Sequence, residues 1–176
     1  FASWTCIQCN HNFASKLHVD LNNEGPSAII ALGGFSGGQL WIYDPEHGTH
    51  ELEVSSKLRG YPDLVPGTKI KGRLVDIKNQ WHFFDGRVPH AVLPFTGERF
   101  TLVFFTRLRW HKATREDQAY LSSCGFSLPS PPADDVDEQY PPDVPGGDDS
   151  EDSDDEIEDA TEEDHLARVD KLLKNA

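Results

Sequence analysis

Two histidines and an aspartate carry the most specific chemistry in this chain. His18-Val19-Asp20 is an HxD pair near the end of one predicted strand, and His90 opens a later one. Side chains alternate along a strand with period two, so His18 and Asp20 share a face. A further His from a facing strand completes a two-His, one-carboxylate facial set. That set leaves three cis positions open on an octahedral ion, which suits Fe(II) that must bind a cosubstrate and O2 together. An HxD pair alone is common and is usually a surface or capping feature, so the surroundings of His90 matter. Pro89-His90-Ala91-Val92-Leu93-Pro94-Phe95-Thr96-Gly97-Glu98-Arg99 and the following Phe100–Thr106 read as a strand, a tight turn and a second strand. Such a hairpin sets Arg99 on the strand beside the one bearing His90. A guanidinium is the natural bidentate partner of a carboxylate, and Thr101, two residues on, adds a hydroxyl on the same side. The plain alternative for Arg99 is a surface cation beside Glu98.

The elements that must hold these residues are short strands. Trp4–Cys9, Ser27–Leu32, Gln39–Tyr43, Lys69–Ile77, Gln80–Phe84, His90–Leu93 and Arg99–Thr106 are rich in strand formers. Turns are expected at Gly33–Gly38, Asn79, Asp85-Gly86 and Phe95–Gly97. Residues 44–68 carry Pro45, Gly48, Gly60, Pro62, Pro66 and Gly67, and read as loops with at most one edge strand. A loop-rich insertion of that length suggests a lid or substrate-binding loop whose deletion abolishes turnover and spares metal binding. Only Arg115–Ser122 reads as helical before the tail. Many short strands with Gly/Pro punctuation indicate an all-β sandwich or barrel.

Charge divides the chain in two. Its formal net charge is −14, yet residues 1–132 hold 13 Lys/Arg against 12 Asp/Glu, and residues 133–176 hold 3 against 18. The first part is near neutral, which excludes an acidic calcium buffer and argues against a strongly basic nucleic-acid surface. From about Ser127, prolines and then an Asp/Glu/Ser block predict a disordered acidic linker over 127–161. Leu166, Val169, Leu172 and Leu173 then have the spacing of a short amphipathic helix within 162–176. Such a tail suits a basic partner. Apolar runs fall far below the roughly 20 residues of a membrane helix. Three cysteines without a signal-peptide pattern suggest an intracellular chain, in cytoplasm or nucleus. Methionine is absent everywhere, which reads as a fragment of a longer reading frame.

His18-x-Asp20, the Gly37-Gly38-Gln39-Leu40 turn, and His90 followed nine residues later by Arg99-x-Thr101 together resemble the iron(II)- and 2-oxoglutarate-dependent dioxygenases. The likeness spans about Trp4 to Thr106. The His-to-Arg spacing is similar to the prolyl-hydroxylase-like branch. Asn22-Asn23 and the Gly-Gly-Phe-Ser-Gly-Gly segment are similar to the TET/JBP-type nucleobase dioxygenases. The resemblance implies a double-stranded β-helix, or jelly-roll, over residues 1–126, N-terminally truncated because members of the family carry further elements before the first core strand. It implies that His18, Asp20 and His90 bind Fe(II) and serve catalysis. Arg99 and Thr101 would hold the distal carboxylate of 2-oxoglutarate. O2 would be consumed, 2-oxoglutarate would become succinate and CO2, and a substrate C–H would be hydroxylated, with ascorbate as an accessory reductant. The substrate would be a protein side chain or, in the TET/JBP-like alternative, a nucleobase. Gln8 or Asn10 stands on the strand where prolyl hydroxylases carry a tyrosine that also contacts 2-oxoglutarate. A reading from another class is a catalytically inactive β-helix serving as an interaction module.

Other candidates are weaker. Cys6-x-x-Cys9 lacks the second ligand pair that zinc needs and reads as two buried structural cysteines. His47 and His50 lie in a loop expected to be solvated. Gly33–Gly38 is followed by no Gly-Lys-Ser/Thr and is no phosphate cradle. Trp41, Trp81 and Phe83 are expected to line the core or a pocket. His82 competes with His90 for the ligand role but lacks an arginine nine residues on. Arg87 reads as a turn cation, and Ser153 lies in an acidic phosphorylation-type context.

Overall fold

The structure, a computed structural model, describes residues 3–131. These belong to one compact unit, Phe1–Val136. Of the linker expected over 127–161 and the helix over 162–176, all but residues 127–131 lie outside the described residues.

Among the described residues ten strands make up an all-β architecture: β1 (Cys6–His11), β2 (Asn23–Leu32), β3 (Phe35–Gly37), β4 (Leu40–Tyr43), β5 (His50–Glu53), β6 (Lys69–Val75), β7 (His82–Phe84), β8 (His90–Val92), β9 (Phe95–Gly97) and β10 (Phe100–Arg107). A 3-10 turn (Trp110–Lys112) and one helix, α1 (Arg115–Ser123), follow. Thr114 caps α1, its hydroxyl oxygen accepting from the Asp117 N–H. All strand pairs are antiparallel. One four-stranded sheet has the order β1-β10-β2-β7, a second has β5-β6-β4-β8, and β3 pairs with β9.

Four contacts nest along the sequence: β1 meets β10, His18 bridges His90, β2 meets β7, and β4 meets β6. The pairs β2·β10, β3·β9 and β4·β8 cross between the nested ones. Ile29 and Ala31 of β2, Phe84 of β7, and Leu40 and Ile42 of β4 pack into one apolar core between the two larger sheets. A second core lies under Trp41, with Leu17, Val19, Val54, Leu58, Ile70 and Ala91. Trp41 fits there because the residue diagonal to it on β6 is Gly72: a Cβ on Gly72 would stand 2.2 Å from the indole ring.

Several expectations change. His90 and Arg99 are not on neighbouring strands of a hairpin: β8 and β10 belong to different sheets, with β9 between them in sequence. The predicted turns at 33–38 and 95–97 contain β3 and β9, which pair with each other; three-residue strands flanked by glycines carry too little periodicity to be read locally. His18 lies in no strand and makes only a bridge to His90. β2 starts at Asn23 rather than Ser27. It passes Pro26 because Gly25, at φ +69°, and a register shift against Phe104–Thr106 absorb the missing N–H at a bulge. Residues 44–68 are not a detachable lid, since β5 forms a sheet edge and Val54 and Leu58 are core. Of the three aromatic residues expected in the core or a pocket, Trp41 is buried and Phe83 lines a cavity beside Pro26, while Trp81, just before β7, is half exposed. Cys9 is exposed and Cys6 only partly covered, because β1 is an edge strand, so the buried-cysteine reading fails.

Candidate metal centre

His18 and Asp20 alternate with Leu17 and Val19, which are buried in the second core. Burying those two aliphatic side chains turns the intervening polar pair the other way. The His18 N–H donates to the His90 carbonyl and the His90 N–H to that of His18, both at 3.0 Å. This reciprocal pair sets the two imidazoles side by side, with ring centres 4.2 Å apart. The Asp20 N–H donates to the Gly86 carbonyl (2.9 Å), drawing its carboxylate toward the same point. Gly86 leaves the room required, since a Cβ there would stand 3.0 Å from Asp20 Oδ2.

The three side chains converge. One ligand atom from each of His18, Asp20 and His90 lies within 4.8 Å of the others. His18 Nε2 is 3.5 Å from Asp20 Oδ1, and His90 Nε2 is 3.6 Å from Asp20 Oδ2. Cis donors around an ion with bonds of about 2.1 Å stand ~3 Å apart, so small movements complete a coordination shell. Both imidazoles are set in the required tautomer. His18 Nδ1 lies 2.8 Å from the Lys16 carbonyl and His90 Nδ1 2.8 Å from that of Val88. A carbonyl only accepts, so each Nδ1 carries the proton and each Nε2 turns a lone pair toward Asp20. Burial first, and then the neighbouring His18, push the His90 imidazole down to about 3, which keeps it neutral and ready to ligate. Asn23 Nδ2 donates to Asp20 Oδ2 (3.3 Å) and holds the carboxylate in place. The group can hold a metal ion. His82, on β7 in the opposite sheet, is not part of it.

Thr101 (4% exposed) lines the same cavity as the three ligand residues, with Ile29, Leu40 and Phe84 as apolar walls. Arg99 is only 1% exposed, so the surface-cation reading fails; Glu98 pairs with His11 instead. Arg99 does not itself line that cavity. It stands behind Phe13, whose side is part of the wall and whose carbonyl accepts from Arg99 Nη1 (3.3 Å). Nη2 donates to the Gly38 carbonyl (3.3 Å), and the Phe35 and Phe95 rings lie 5.5 and 5.3 Å from the guanidinium carbon. Among the described residues no carboxylate pairs with Arg99, and its buried Nε–H has no acceptor. Burial lowers its pKa. A buried cation held only by carbonyls and ring faces is costly unless an anion joins it.

Gly37 and Gly38 have a physical role here. Both have positive φ, and a Cβ on Gly38 would stand 3.0 Å from Arg99 Nε. The arginine stem thus occupies the space that glycine leaves. The supporting Asn12, whose Oδ1 accepts from the Arg99 N–H (2.9 Å), and the rings of Phe35 and Phe95 were not marked by the sequence, because their roles depend on β3 and β9 pairing. Arg87 forms a two-contact ion pair with Asp85 (3.1 and 3.2 Å), stiffening the turn before His90. His47 is solvent-exposed, as expected of its loop. No family model matches the chain, and no curated protein matches it significantly.

Proposed function

We propose that this chain is an Fe(II)- and 2-oxoglutarate-dependent dioxygenase domain that hydroxylates a substrate C–H, with 2-oxoglutarate converted to succinate and CO2. The observation that carries the reading is the convergence of His18, Asp20 and His90 with both Nε2 lone pairs turned inward. The nested strand pairs support a jelly-roll. A ribbon with β4·β6 toward its closed end and β1·β10 at its open end, its successive segments alternating between two sheets, is what a double-stranded β-helix would require.

The donor set fits Fe(II): the two imidazoles of His18 and His90 and the Asp20 carboxylate would hold the ion and would leave positions for a cosubstrate and O2. The iron, when bound, supplies O2 activation coupled to decarboxylation of the 2-oxo acid. The chain's own residues bind, orient and exclude water. His18, Asp20 and His90 hold the ion. Thr101, on the cavity wall, would give the distal carboxylate a hydroxyl, and Arg99, behind Phe13 with its buried Nε–H unmatched, would set a positive charge close by. Ile29, Leu40 and Phe84 keep the cavity apolar between them.

Anaerobic addition of Fe(II) and 2-oxoglutarate is expected to produce a weak visible charge-transfer band. His90→Ala is expected to abolish it, and Arg99→Ala to demand far more 2-oxoglutarate. A folded wild-type chain without the band sinks the reading and favours the inactive interaction module. Succinate release stimulated by peptides or by modified oligonucleotides then sorts the two substrate classes.

A further inference from the structure

Asn10 on β1 is the register partner of Thr101 on β10, and both line the cavity that holds the three ligand residues. Gln8, two residues before, lines it as well. Their side chains form a directed chain: Gln8 Nε2 donates to Asn10 Oδ1 (3.1 Å), and Asn10 Nδ2 donates to Thr101 Oγ1 (3.4 Å). An amide nitrogen only donates, so the Thr101 oxygen is an acceptor in this contact. Among the described residues no acceptor takes the Thr101 proton. The hydroxyl is therefore left with its hydrogen free to turn into the cavity.

We infer that Asn10 is a positioning residue that presents Thr101 as a donor to the distal carboxylate of a 2-oxo dicarboxylic acid, with Gln8 fixing the sense of the Asn10 amide. This rests on the dioxygenase reading above and adds a selectivity device to it. The reverse sense of the same chain would have Thr101 donating to Asn10. Only oxygen lone pairs would then face the carboxylate, and the site would repel the anion it must hold. Gln8 sits at the exposed end of the chain, so the polarity is set from the surface inward.

The full-length chain with Fe(II) is titrated anaerobically with 2-oxoglutarate and with 2-oxopentanoate, which chelates equally but has no distal carboxylate. Asn10→Asp keeps the shape and turns the donor into an acceptor. It is expected to weaken 2-oxoglutarate about 10- to 100-fold, the range for a hydrogen bond to a charged group, and to leave 2-oxopentanoate within about 2-fold. Asn10→Ala, which frees the hydroxyl without reversing it, is expected to lie between wild type and Asn10→Asp. Gln8→Glu, at an exposed position, is expected to shift affinity the same way as Asn10→Asp but less, by turning the Asn10 amide over. Equal losses for both acids, or Asn10→Asp binding as well as wild type, overturn the relay while leaving the dioxygenase reading standing. A wild-type chain giving no band with either acid overturns both.

Discussion

At the scale of single residues, burial holds one histidine neutral and, among the described residues, leaves one arginine without a counter-ion. The His90 imidazole is held down at about 3 by burial and by His18, against 6.5 for the free group. Between pH 6.5 and 3 the unfolded chain therefore binds a proton that the metal-free folded chain does not. Folding stability falls as pH drops through that window and is unaffected by this group above it. His90→Gln removes the titrating group. Urea midpoints for wild type and variant are expected to draw together between pH 7 and 4 in chelator, and parallel curves would exclude the effect. Gly38 is the second test at this scale. Gly38→Ala places a Cβ against the Arg99 stem and a side chain at φ +70°. It is expected to cost about 1–2 kcal/mol of stability and to weaken 2-oxoglutarate about 10-fold through a displaced guanidinium, while Fe(II) binding persists. Calorimetric titration of metal and oxo acid separately checks this.

At the scale of elements, the Trp41 side of the second sheet decides what residues 44–68 are. Val54 is 0% and Leu58 7% exposed against Trp41, and Trp41 Nε1 donates to the His50 carbonyl (3.0 Å). Leu58→Ala is expected to cost about 2–4 kcal/mol, as buried leucine truncations do, and excision of 44–68 to leave no cooperative unfolding transition. A folded, metal-binding deletion variant would restore the lid. The same region shows what local sequence can and cannot tell. The β2 core, β6, β10 and α1 were legible because each has a periodic run or a capped start. β3, β9 and the His18 bridge were not, since they exist through partners distant in sequence rather than through their own pattern. The ligand residues were legible by type and spacing. The acceptors around Arg99 were not, because Asn12 and Phe13 follow β1 while Gly38 follows β3, and only pairing brings the two segments together.

At the scale of the whole molecule, the pairing of β1 with β10 makes the first and last strands mutually dependent. β1 and β10 pair across almost the entire described length, so their contact closes a loop that contains all the others. Such non-local order is slow to form and gains from any link between early and late segments. An ion held by the His-Asp-His group would be that link: His18 and Asp20 precede every strand but β1, and His90 follows seven of the ten. An ion bound by all three side chains therefore stabilises the fold as a unit, not merely the site. Co(II), which has the same ligand preferences and resists air oxidation, is expected to raise the unfolding free energy by about 2.7 kcal/mol at a free concentration 100 times its Kd. Chelator is expected to reverse the gain, and His90→Gln to lose most of it. A wild-type unfolding midpoint that ignores saturating Co(II) would mean that the three side chains hold no ion. If instead the metal shifts local hydrogen exchange near His18 but leaves the β1·β10 amides unchanged, the centre would be a local clamp, and the coupling of the two ends through it would be wrong.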